Sequence, residues 1–446
     1  MNKLNYLVVD LPEDINRTIM FGDFKSANRL IDIYLNRNIS KMLKERLLFE
    51  KHRITLLEKE YIYSYEDAFK MLSDKIDGFK KDDLDYLKDE RYAEWIYING
   101  EIKFHSSFFD NVMKVYYSNV GEHDATGVKN ILDEVVDQMM LNGEMKYFTH
   151  VKTGIKLNKE NINNNKNATI HLTIPQEALQ IKNIKILATS HKPKQIAPLE
   201  YGQRTICFEE EVKGSETFTV EYSYENHAKY TEIDYNNVSE IQPKFYTEEW
   251  LPHIRFTPFL VDLAKEIVED EINPLKKARK IYDYITTNVQ YSYMRSYSAI
   301  VNIPEYAAYN LKGDCGVQAL LFITLCRIVG VPARWQSGLY IKPDSIGCHD
   351  WTQFYIEPYG WLFADLSFGG SAYRTKNMKR WNFYFGNLDP FRMVANSHYQ
   401  YPFLPKKKYL RKDPYDNQIG EVEYDDNGLY NGEFKVIKEI VDIHQI

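Results

Sequence analysis

The stretch Gly313-Asp314-Cys315-Gly316-Val317-Gln318-Ala319-Leu320-Leu321-Phe322-Ile323-Thr324-Leu325-Cys326-Arg327-Ile328-Val329-Gly330-Val331-Pro332-Ala333-Arg334 decides how the chain is read. Gly313 and Asp314 make a tight start, and Gly330 is a natural C-terminal stop with Pro332 just beyond it. Between them the run is apolar nearly all round, which predicts a buried helix. Cys315 then sits in the first turn, where backbone N–H groups and the positive end of the helix dipole favour a thiolate. The same N–H groups can stabilise the oxyanion formed when a thiolate attacks a carbonyl.

Acyl transfer also needs a proton carrier for the leaving group and a group that orients the carrier. The next two segments offer both. His349-Asp350-Trp351-Thr352-Gln353-Phe354-Tyr355-Ile356 reads as a strand, Glu357-Pro358-Tyr359-Gly360 as a turn, and Trp361-Leu362-Phe363-Ala364-Asp365 as the returning strand. His349 and Asp365 share a face only if paired residue numbers have an even sum. A three-residue loop pairing Ile356 with Gly360 satisfies this, and it sets Asp365 opposite Trp351 and diagonal to His349. A four-residue loop would put the two on opposite faces.

Cys at a helix start, Gly330-Val331-Pro332-Ala333-Arg334, His349-x-Trp351, then Tyr359-Gly360-Trp361 followed by Asp365 together resemble the core of the transglutaminase-like superfamily. The resemblance spans roughly residues 270 to 370, and the segments Ile281 to Ile285 and Asn288 to Tyr291 suit the part that precedes the nucleophile. It implies a papain-like fold and a Cys-His-Asp triad on Cys315, His349 and Asp365, with no cofactor. The sequence departs from the commoner pattern at Asp350, where a small residue usually follows the His, and at Leu366, where Pro usually follows the Asp. Asp350 adds a charge beside the site. For a side-chain oxyanion donor upstream of the Cys, or a groove residue, the candidates are Tyr306, Tyr309 and Asn310.

Other readings compete for the same residues. Cys326 and Cys207 read as small buried hydrophobes, and Cys348 should point away from the face of His349. A metal site from Cys315, Cys348 and His349 lacks a close ligand pair on one loop, so no metal is expected. Trp335 and Trp351 are candidates for a substrate-groove wall, with core packing as the alternative role. Phe385 to Phe391 reads as a loop at a cleft edge.

Outward from this block, residues 1–145 read as mainly helical, with helices from Asp23 to Asn36, Ile39 to Glu60 and Val128 to Leu141. Ser64-Tyr65-Glu66-Asp67 is a capping signature, and Trp95 to Phe104 a hairpin turning on Asn99-Gly100. Residues 146–245 carry period-two runs such as Thr169 to Ile174 and Phe218 to Tyr224, which predict an antiparallel β-sandwich with the Asn-rich piece Asn161 to Asn167 at its rim. Residues 250–405 would form the transglutaminase-like domain and 406–446 a C-terminal extension. The fold class expected is α+β and multidomain.

The 446 residues include 35 Tyr and 23 Phe, a level that suits broad amphipathic contact surfaces. A net charge of -7 with both signs interspersed argues against nucleic acid as a partner. The basic cluster Lys406, Lys407, Lys408, Arg411 and Lys412 reads as a solvated connector. Four cysteines without a CxxC pair suggest a reducing compartment, and no stretch has transmembrane length. The apolar run near the N-terminus is too short for a signal peptide, so a cytoplasmic protein without membrane association is expected. The function expected is thiol-dependent acyl transfer on a peptide or protein amide through a thioester on Cys315. The competing reading is a binding or scaffold protein with an idle triad.

Overall fold

The structure is a computed structural model, and it describes residues 4–120, 130–158, 166–214, 216–411, 413–430 and 432–446. It is an α+β, multidomain chain that divides into two units. The first comprises Met1–Val128, Trp250–Arg255 and Gln290–Asp314. The second comprises Lys129–Glu249, Phe256–Val289 and Cys315–Ile446.

The first unit is mostly helical. Asp23, Ser40 and Ser64 each cap a helix by accepting from a backbone N–H, and Ser64 with Asp67 completes a capping box. Asn99 and Gly100 both have positive φ, 49° and 91°, as a tight two-residue hairpin between strands Trp95–Ile98 and Glu101–His105 requires. One core gathers Ile15, Phe24, Ala27, Ile31, Leu47, Ile54 and Tyr61, and another Ala68, Leu72, Leu84, Phe104 and Phe108. Arg53 is buried, pairs with Glu50, and donates to the carbonyls of Ser298 and Ile300, which ties the late segment 290–314 to the early helices.

The second unit combines a sandwich with a five-stranded sheet. One sandwich sheet runs in the order Phe434–Gln445, Glu144–Leu157, Thr217–Lys229, Ile181–Thr189. The other runs Glu421–Tyr424, Asn167–Thr173, Thr205–Glu211, Gln195–Ile196. The stretch 406–446, set apart above as an extension, thus supplies an edge strand to each sandwich sheet. Its alternating apolar residues, such as Val422 and Tyr424, bury in the sandwich core beside Ile170, Phe208, Phe218 and Tyr222. The basic cluster in it is not a solvated connector throughout: Lys407 and Arg411 are ion-paired to the buried Glu421 at 2.8 and 3.0 Å. Lys412, Ser215 and Asn161 to Asn165 lie outside the described residues.

The five-stranded antiparallel sheet runs Phe385–Gly386, Gly360–Ala364, Ser345–Ile356, Ala333–Lys342, Arg392–Asn396. Helices Pro274–Asn288 and Cys315–Ile328 pack with it; Phe322 meets Phe354 edge-on at 5.9 Å, and Tyr282 meets Phe385 at 5.3 Å. Helix Leu366–Arg374 docks so closely that a Cβ on Gly369 would fall 1.9 Å from the Tyr282 hydroxyl. Only glycine fits there.

Candidate active site

Cys315 is the first residue of helix Cys315–Ile328, whose residues from Gly316 to Arg327 are all buried. The helix is fixed by its apolar surface, and its first residue remains partly exposed. The thiol therefore sits at a helix N-terminus with access to solvent, the setting that lowers the cost of a thiolate.

His349 lies on strand Ser345–Ile356. The turn that follows pairs Ile356 with Gly360 and Thr352 with Ala364, the register a three-residue loop demands. Asp365 comes directly after the last paired residue and caps the next helix, accepting from the Phe368 N–H at 3.1 Å. His349 Nε2 and Asp365 Oδ2 are 2.7 Å apart, with His349 5% exposed and Asp365 fully buried. Trp351, two residues along the strand, stacks beside the imidazole at 6.0 Å, and Phe368 closes on it at 4.8 Å.

Asp365 has a second cationic partner that sequence reasoning missed. Arg392 Nη2 donates to Asp365 Oδ2 at 2.9 Å, and the same guanidinium pairs with Asp389. All three are buried, and Asp389 also accepts from the Tyr384 hydroxyl. Burial opposes ionising Asp365, but the charges of His349 and Arg392 outweigh it and bring its carboxyl down to about 2. Burial likewise opposes a charge on Arg392, and Asp389 with Asp365 reverses the effect. The only sequence signal was an arginine inside the apolar run Phe391-Arg392-Met393-Val394, a placement that requires a buried partner.

The thiol itself donates to Asp350. Cys315 Sγ and Asp350 Oδ2 are 3.2 Å apart, and Gln418 Nε2 donates to Asp350 Oδ1 at 2.6 Å and to the His349 carbonyl at 3.1 Å. Asp350 is thus a contact of the Cys315 thiol as well as a charge near the site. Asp416 and Asp413 stand behind it. Burial and then the charge of Asp350 push the Asp416 carboxyl well up, and burial with Asp416 pushes Asp413 up to about 8.

The remaining candidates are placed elsewhere. Trp335 is 2% exposed against Tyr399, and Trp351 is fully buried with its indole N–H on Gln336, so both pack the core and neither walls a groove. The Tyr306 hydroxyl donates to Glu94, and Asn310 accepts from Arg91, both within the first unit. Phe385 to Phe391 is buried and carries Asp389, so it is part of the ion-pair framework and not a cleft edge. Cys207 and Cys326 are buried, and burial pushes both thiols up. Cys348 is exposed and accepts from Lys438 at 3.1 Å. Among the described residues, no group of three or more His, Cys, Asp or Glu side chains is arranged to hold a metal ion.

Residues 261–366 match the family model of the transglutaminase-like superfamily. This stretch is thus similar to the core of that superfamily. The superfamily includes cysteine peptidases and transglutaminases, and the matched region contains Cys315, His349, Asp350 and Asp365 but stops short of Arg392 and Asp416. An uncharacterized protein of Haemophilus influenzae is 25% identical over 158 residues, covering 30% of this chain and 43% of that protein. The chain therefore spans less than half the length of that relative. Among solved structures, a candidate cysteine protease from Cytophaga hutchinsonii aligns at 16% identity and a TM-score of 0.45, over 67% of this chain and 91% of that one. The periplasmic domain of TgpA from Pseudomonas aeruginosa aligns at 12% identity and a TM-score of 0.28, over 55% and 93%. No helix among the described residues is long and apolar enough to cross a membrane.

Proposed function

We propose that the transglutaminase-like core performs thiol-dependent acyl transfer on a peptide or protein amide, with Cys315 as nucleophile, His349 as base and acid, and Asp365 as the orienting carboxylate. The observation that supports this most is the buried 2.7 Å contact between His349 Nε2 and Asp365 Oδ2. With Nε2 held by a carboxylate, Nδ1 is the nitrogen that exchanges a proton with the thiol.

Each step then has an owner. His349 Nδ1 takes the thiol proton, and Sγ attacks the carbonyl carbon of the amide. The oxyanion collects charge near the N-terminal N–H groups of the Cys315 helix. As the C–N bond breaks, the imidazolium passes its proton to the departing amine and a thioester remains on Cys315. Water, deprotonated by the same imidazole, attacks the thioester; the C–S bond breaks and the carboxylic acid leaves. An amine in place of water gives transamidation, and we take hydrolysis as the working reading. We also place the protein in a reducing compartment such as the cytoplasm, where all four cysteines stay as thiols.

p-Nitrophenyl acetate tests this, because an activated ester needs no substrate recognition. The expected result is a burst of p-nitrophenolate followed by slower turnover, with both lost in Cys315→Ala. Turnover that survives in Cys315→Ala would refute the reading.

A further inference from the structure

Resting on that reading of Cys315, we propose that Asp350 is a positioning residue that latches the thiol in a protonated resting state. In an extended strand, successive side chains point to opposite faces, so Asp350 and His349 offer the nucleophile two different partners. The thiol takes Asp350: Sγ donates to Oδ2 at 3.2 Å. A carboxylate accepts a hydrogen bond from S–H but repels S⁻, so this contact keeps the proton on sulfur.

The carboxylate is itself held in place. Gln418 Nε2 donates to Oδ1 at 2.6 Å, and the same amide grips the His349 carbonyl. Ser337 is paired opposite Asp350 on the neighbouring strand. Asp416, 4% exposed, has an Oδ2 that accepts no hydrogen bond among the described residues. A buried carboxyl oxygen without a donor, set against a second carboxylate, is the arrangement of an acid that donates its own proton. Asp416 is therefore the carboxyl that burial and the neighbouring Asp350 charge keep protonated. The groups that face or flank this pair are the Cys315 thiol, Ser337, Gln418, Asp413 behind Asp416, His349 on the same strand, and Cys348 with its partner Lys438.

Release of the latch requires either a proton on Asp350 or a ligand that displaces Sγ from it. A substrate carbonyl arriving at the helix N-terminus draws Sγ away from Asp350, and the proton that the carboxylate held on sulfur is then free to leave. The device keeps the thiol unreactive until the site is filled.

The test is the rate of Cys315 alkylation by iodoacetamide against pH, followed by peptide mass mapping, in the wild type, Asp350→Asn and Asp350→Ala. Asn keeps the shape and removes the charge. The expected result is an alkylation inflection about one pH unit lower in both variants, and about tenfold faster labelling at pH 7. An unchanged profile overturns the proposal. So does slower labelling, the outcome expected if Asp350 activates the thiol. Thermal melts identify a variant that does not fold, and the other variant then decides. The readout does not depend on turnover: if Cys315→Ala leaves esterase activity intact the acyl-transfer reading fails, whereas an unshifted alkylation profile in Asp350→Asn removes only the latch.

Discussion

Two buried environments flank the strand Ser345–Ile356, each containing carboxyl groups, and the two behave oppositely. Beside His349, Asp365 meets an imidazole, a guanidinium and a helix N-terminal N–H, and it is ionised down to about pH 2. Beside Asp350, the neighbours are Asp416 and Asp413, and protons are retained far above the usual carboxylate range. The same functional group is a fixed charge in one place and a proton store in the other. Burial raises the cost of a charge in both, and only the partner decides whether the charge survives. A fixed charge suits the orienting member of a triad, and a proton store suits a group that restrains a thiol.

The comparison breaks most visibly on the Asp365 side. Under the proposed mechanism Asp365→Asn removes the charge that would orient and stabilise the His349 imidazolium, and acylation of Cys315 by p-nitrophenyl acetate should fall by about a thousandfold or more with the fold retained. A fall below tenfold would mean that Asp365 is only a helix cap. Arg392→Met leaves Asp365 and Asp389 buried without their shared cation, and the expected loss of stability is about 3–5 kcal/mol, read from the urea midpoint. An unchanged midpoint would show that the network is not a framework.

The acidic side gives the opposite sign. An aspartate in the unfolded chain titrates near 4, whereas Asp413 holds its proton to about 8. Between those values the folded state binds a proton that the unfolded state has released, so stability falls as pH rises. Asp365 runs the other way: its contribution is present above about pH 4 and is lost as pH falls through about 2. Asp413→Asn should therefore stabilise the protein by roughly 2 kcal/mol at pH 8 and have little effect at pH 4. Equal effects at both pH values would place Asp413 outside the proton store. Gln418→Ala, which removes the amide touching both sides, should cost about 1 kcal/mol in the urea midpoint.

Much of this was legible in the sequence. The apolar run bounded by Gly313-Asp314 and Gly330 declared the helix, and the sequence narrowed the register to a three- or four-residue loop, of which the Ile356–Gly360 pairing is the first. Both are local signals, carried by residues close in the chain. Arg392, Asp413, Asp416 and Gln418 were not legible, because what defines them is the neighbour brought in by sheet pairing from far along the chain. Asp350 lay between these cases. Its departure from the usual small residue marked a charge near the site, but only the 3.2 Å contact shows that the charge meets the thiol. The stretch 406–446 was set apart for a related reason: the sheet partner of Glu421–Tyr424, Asn167–Thr173, lies about 250 residues earlier, and pairing at that distance leaves no local signal.

The most direct measurement is the site of acylation in His349→Gln. With the imidazole gone, deacylation should slow more than attack by an activated ester, so the acyl-enzyme should accumulate after exposure to p-nitrophenyl acetate. Peptide mass mapping is predicted to find the acetyl group on Cys315, labile to hydroxylamine as a thioester is. Acetyl spread over Cys348 and surface lysines, with Cys315 unmodified, would contradict the account.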